Sequence, residues 1–140
     1  MGYFRTMEKI ITRTAEIFKD DDGIIHIRIL NGVCIDMEDA FDNFLVVRNL
    51  SRKEKVVKLI DGRAEWSIDI AARRFIAGKD VQGNIVARAV VLKSLLKRAI
   101  CNYFIRLHKI KSPTKIFTDY DAAISWLKQY KRQLEAKEKI

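Results

Sequence analysis

The residues able to do chemistry are few: two histidines, two cysteines and two clusters of carboxylates. His26 and His108 lie far apart, and neither has a second ligand at a metal-binding interval such as His-x-x-x-His. His26 sits inside an alternating apolar run, and His108 closes a helical one, where a cation suits the helix dipole; both are expected to be structural. Asp20, Asp21 and Asp22 read as a solvated turn. Asp36, Glu38, Asp39 and Asp42 fall in the first turns of a helix, where negative charge is favourable in any case. An EF-hand needs alternating oxygen ligands, a central glycine and a terminal Glu, and Asp20 to Asn31 lacks them. The sequence has no phosphate loop, no Gly-x-Gly-x-x-Gly and no Gly-x-Ser-x-Gly. Cys34 and Cys101 form no Cys-x-x-Cys and are expected as buried or half-buried thiols in a reducing compartment. With no nucleophile, base or ligand set to nominate, the expectation is a non-enzymatic protein with no catalytic residue, metal or cofactor.

Charge is more informative than any motif. Val81 to Thr118 holds eight basic residues and no Asp or Glu, so nearly all of the net charge of +9 belongs to this stretch. Such a surface attracts acidic proteins, anionic lipid or nucleic acid, and it also occurs as an ordinary solvated face. It lacks the Arg-aromatic interleaving of a nucleic-acid reader, and nucleic acid and anionic lipid both rank behind an acidic protein partner.

Stepping outward to the elements that must carry these groups, 140 residues that are 49% apolar and 32% charged form a globular chain, not a disordered one. No apolar run approaches the ~20 residues of a membrane span, and Met1 to Thr12 lacks a secretory signal; a cytoplasmic protein is expected. Met1 to Thr6 fits the loose myristoylation pattern, which occurs often by chance. No linker or repeat divides the chain, so a single domain over 1–140 is expected, with its core at about residues 12–130. Thr12 to Lys19 and Ile24 to Leu30 alternate around an Asp20–Gly23 turn and predict a hairpin. Asp36 and Asp39 make a capping-box pattern for a helix bearing Met37, Ala40, Phe41, Phe44 and Leu45 on one face. Val56 to Ile60 predicts a buried strand leaving at Asp61-Gly62, and Ser67 a cap for a short helix through Ile76. Asn84 to Ile110 reads either as one long helix or, preferably, as a strand over Ala87 to Lys93 and a helix capped by Ser94. That helix would bury Leu95, Leu96, Ala99, Ile100, Tyr103, Phe104 and Leu107. Lys97, Arg98 and Arg106 would then face away, with Ile105 among them. A strand at Thr114 to Phe117 and a helix capped by Asp119 complete the pattern. The fold class is α/β: a mixed sheet of about five strands with an N-terminal hairpin, flanked by about four helices.

The hairpin, the capped helix, Lys58-Leu59-Ile60-Asp61-Gly62, Pro113 to Asp119 and Ala122 to Leu127 together resemble STAS-like proteins. This is the fold shared by anti-sigma-factor antagonists and sulfate-transporter tails, here in its small stand-alone, SpoIIAA-like bacterial branch. The resemblance covers Thr12 to Leu127. It implies a non-enzymatic module that regulates a partner protein, or a carrier of a small apolar or lipid-like ligand. The position matching the family's regulatory serine is Ser67, a possible phosphosite; the antagonists keep an Asp within a residue or two of that serine, whereas Glu65-Trp66 precede Ser67. A phosphate at a helix start would suit the dipole, and so would a plain capping hydroxyl. Trp66, Lys97, Arg98, Ile105 and Arg106 are the candidate partner surface, with core packing an alternative for Trp66. Phe75, Tyr103 and Phe104 are the candidate ligand pocket. A homodimer is a reasonable expectation from base rates.

Overall fold

The computed structural model describes residues 8–138 apart from 79, 80, 82 and 111; the Met1 to Thr6 pattern lies outside the described residues. Six strands make one mixed sheet. In chain order these are β1 (Ile10–Ile11), β2 (Ala15–Lys19), β3 (Ile25–Ile29), β5 (Val56–Asp61), β7 (Ile85–Val91) and β8 (Thr114–Phe117), and they lie side by side in that same order. β1, β2 and β3 pair antiparallel; β3, β5, β7 and β8 run parallel. A second, two-stranded parallel sheet joins β4 (Val33–Ile35) to β6 (Trp66–Ile68). The helices described are α1 (Met37–Ser51), α2 (Ile70–Ile76), α3 (Leu95–Leu107) and α4 (Tyr120–Glu138).

The hairpin forms as its turn chemistry dictates. Asp20 Oδ1 accepts from the amides of Asp22 and Ile24, both at 2.9 Å, and Gly23 takes the left-handed φ of 81° that closes the turn. α1 starts at a complete capping box between Asp36 and Asp39. Asp39 is buried and also pairs with Arg13, whose Nη2 donates to the Cys34 carbonyl at 2.7 Å, tying the turn between β1 and β2 to β4 and the start of α1.

Alternation along the strands divides the core into two faces. Ile24, Val57, Leu59, Ala87, Ala89 and Val91 face α4, which seals them with Ala123 and Leu127, all nearly inaccessible. The other face carries Ala15, Ile17, Ile25, Val56 and Ile85 under α1, and Ile29, Ile35, Ala40 and Ala72 where α1 meets α2. Between these two apolar groups the neighbouring strands place Lys58 beside Arg88, paired in register and both buried.

Several local expectations are corrected. β4 and β6 stand where no strand was expected, and Ser67 therefore lies within a strand; the cap of α2 is Asp69, whose carboxylate accepts from the Ala72 amide at 2.8 Å. The strand before α3 begins two residues earlier than expected, at Ile85. On α1 only Ala40 of the expected apolar stripe is fully buried, and Met37 and Phe41 are exposed. The largest correction concerns α3, which Ser94 does cap. Its apolar stripe faces outward: Leu95, Leu96, Ile100, Tyr103 and Leu107 are between 48% and 74% exposed. The half-buried side is the one carrying Lys97, Arg98, Cys101, Phe104, Ile105 and His108.

Candidate functional site

Parallel sheets present ligand-accessible groups beyond the carboxyl ends of their strands. Here that region holds an open cleft of about 250 Å³ between the hairpin, the end of β5 and the start of α4, lined by Glu16, Phe18, His26, Arg28, Asp61, Arg63 and Tyr120 among others. Register brings Phe18 opposite His26, and the rings stack with centroids 4.5 Å apart. His26 Nε2 lies 2.7 Å from Asp20 Oδ2 and its Nδ1 lies 3.1 Å from the Tyr120 hydroxyl. A carboxylate only accepts, so Nε2–H donates to Asp20, and in the neutral ring Nδ1 accepts from Tyr120. Arg63 makes a two-pronged ion pair with Asp61, at 2.9 and 2.8 Å, and lies 5.1 Å over the Tyr120 ring. Glu16 pairs with Arg28 and Lys9 at the outer rim.

Electrostatics follow from this pairing. Burial pushes Asp20 up, but hydrogen bonds from His26 and the Ile24 amide outweigh it and hold the carboxyl below its usual range. The same balance lowers Asp61 through Arg63. Burial raises the Tyr120 phenol, and the charges of Asp61 and Asp20 raise it further. Tyr120 is thus a neutral hydroxyl at physiological pH, and the carboxylates are ionised and paired. The cleft can orient a polar group; it holds no activated nucleophile of the tyrosinate kind.

The second candidate surface is the outward face of α3. Five large apolar side chains lie there with the exposed Arg106, while Lys97 reaches inward at the helix start. The Lys97 ammonium sits 4.9 Å over the Trp66 ring and 3.3 Å from the Ala64 carbonyl. Trp66 Nε1 in turn donates to the Gly62 carbonyl at 2.9 Å, so the end of β5, the loop and α3 are joined through one indole.

The expected site residues therefore separate. Trp66 and Lys97 meet; Arg98 and Ile105 lie on the half-buried side of α3, and Arg106 on the exposed side. The three expected pocket residues do not share a lining: Phe75 packs edge-on to Phe41 and Phe44, Phe104 contacts His108, and Tyr103 is 65% exposed. Ser67 is exposed on β6, opposite Cys34, which is exposed as well and not the buried thiol expected; Cys101 is half-buried. Sequence reasoning missed the Asp20–His26–Tyr120 chain. Part of its signal was present, since a turn aspartate lay close ahead of a strand histidine, but Tyr120 is distant in sequence. Among the described residues, no helix is long and apolar enough to cross a membrane.

No curated protein matches the sequence. Among solved structures, an uncharacterised protein of the DUF3478 family with a SpoIIAA-like fold, from Shewanella loihica PV-4, matches 87% of this chain and 92% of its own, with a TM-score of 0.62 at 14% identity. A protein of unknown function from Arthrobacter sp. FB24 aligns over 79% of this chain and 96% of its own at 24% identity, with a TM-score of 0.29. The first likeness establishes the fold expected from the hairpin, β5 and the β8–α4 ending: a SpoIIAA-like, mixed α/β architecture. A family model spans residues 18–131, from the hairpin through most of α4, and the chain belongs to that family, the domain of unknown function DUF7793.

Proposed function

We propose that this protein is a non-enzymatic regulatory module of the cytoplasm that docks an acidic partner protein on the outward face of α3. The observation that carries this reading is the exposure of Leu95, Leu96, Ile100, Tyr103 and Leu107 on one helix face. Contiguous apolar surface of this kind, bearing an aromatic residue, marks an interaction site. Charge selects the occupant. Arg106 stands within the stripe, Arg98 and Lys109 lie close by in sequence, and no acidic residue occurs between Val81 and Thr118. Like charge opposes a second copy in this position, whereas an acidic rim on a partner complements it. Ser67 is the candidate control point: it is exposed and adjacent in sequence to Trp66, on which Lys97 sits. A phosphate there would add negative charge near the start of α3 and weaken an acidic partner.

A photo-cross-linker placed at Tyr103 in native cells, with a control at exposed Gln133, tests the reading. The expected product is one heterologous protein, captured at Tyr103 and not at Gln133. Its purified form should bind in a salt-dependent manner and lose at least about tenfold in affinity on Leu96→Asp. A cross-link to a second copy, binding to anionic vesicles or nucleic acid in place of a protein, or no product above the control overturns it. If Ser67→Asp leaves the affinity unchanged, the control point is excluded.

A further inference from the structure

Lys58 is a buried basic residue to which the described residues bring no carboxylate. It is 8% exposed in a central strand, between Val56 under α1 and Ile60 where the second apolar group begins. A lysine that deep is normally paired with a carboxylate or capped by acceptors. Lys58 makes neither an ion pair nor a hydrogen bond among the described residues; the charged group it feels is another cation, Arg88, in register on β7. Arg88 donates to Thr114 Oγ1 at 3.3 Å and interacts electrostatically with Cys101 on the half-buried side of α3. The pair therefore lies on the sheet face towards α3, a helix with no fully buried residue.

We propose that Lys58 and Arg88 form a binding site for an oxyanion, a carboxylate or phosphate, that enters between α3 and the sheet. A negative charge placed beside Lys58 would supply what the described residues do not give it, a counter-ion, with Arg88 as the neighbouring positive group. The amine is held without one at a cost, since burial first and Arg88 second push its pKa well below the ordinary lysine value. The anion arrives either free or as the head of an amphipathic molecule whose chain follows the half-buried apolar side of α3, Phe104 and Ile105. This site is independent of the partner face, which uses the opposite side of the helix.

The test is calorimetry on the full chain with inorganic phosphate, decanoate and decanol. Saturable binding of phosphate identifies a free oxyanion. Binding of decanoate without decanol or phosphate identifies an amphipathic carboxylate. Either supports the site if Lys58→Met, which keeps the length of the side chain, weakens it by about ten- to a hundredfold, as loss of a charged hydrogen bond does. Should Lys58→Met fail to fold, carbamylation of Lys58 in the unaltered chain, read by mass spectrometry, decides the question: protection by the bound anion supports the site. No saturable binding of either anion, equal binding by Lys58→Met, or carbamylation of Lys58 indifferent to the anion overturns it.

Discussion

Helices α3 and α4 both carry an apolar stripe on an otherwise charged surface, yet only α4 lays its stripe on the sheet. α4 inserts Ala123 and Leu127 among Ile24, Val57, Leu59, Ala87 and Val91, and its Trp126 packs at a tilt between Phe117 and Tyr130. α3 turns its stripe to solvent and rests on Lys97, Cys101 and Phe104. The sheet explains the difference. Under α4 the strands offer small and branched apolar residues, so burial proceeds without polar cost. On the side of α3 they offer Arg88 and Lys58, against which a leucine stripe would gain little and would desolvate charge further. An amphipathic pattern thus specifies that a face is apolar; the chemistry of the opposing surface decides whether it is buried within the chain.

This comparison can be broken most directly in the core. Leu127→Ala should cost about 2–5 kcal/mol in urea unfolding, as large-to-small changes in sealed cores do, whereas Leu96→Ala should stay within about 0.5 kcal/mol. Equal costs would mean that α3 is packed like α4. Next in size is the anchor of α1. The guanidinium of Arg13, helped by the Asp36 amide, lowers the Asp39 carboxyl to about 2. A carboxylate lowered in the folded state stabilises fully above its unfolded value of about 4 and ceases to as pH falls through the folded value. Asp39→Asn should therefore lose about 1–2 kcal/mol at pH 7, and its deficit should fade between about pH 4 and pH 2; a deficit independent of pH would sink this account. Asp69→Ala should cost about 1 kcal/mol through the cap of α2, with Ser67→Ala near zero, and the reverse order would restore Ser67 as the cap. The smallest effect needs no mutation: amides in the middle of α3 should exchange with deuterium faster than those of α4 around Leu127.

Much of the architecture was legible because it is written in short range. Asp20 and Gly23 set the hairpin, Asp36 with Asp39 starts α1, and Ser94 starts α3; each is a few residues of local chemistry. β4 and β6 were not legible, since each is three residues long and exists through its pairing with the other across a wide gap in sequence. The cap of α2 was misplaced for the related reason that Ser67, a plausible cap by type, was claimed by that strand and Asp69 stood two residues on. The orientation of α3 depended on Lys58 and Arg88, which belong to other strands. Of the polar cleft, only the half carried by the hairpin could have been anticipated.

The two borders of the six-stranded sheet bear on how the molecule behaves when crowded. One border is β1, two residues long; the other is β8, four residues entered through Pro113 and bearing exposed Lys115. Neither offers a long, flat row of unpaired backbone groups, and proline and lysine are the residues that discourage a neighbouring chain from adding a strand. The six-stranded sheet therefore keeps its hydrogen-bonding edges guarded against cross-β growth while the molecule leaves a greasy helix in the open. Any clumping of this protein at high concentration should consequently begin through side chains and yield to mild detergent, without the backbone-templated permanence of fibrils.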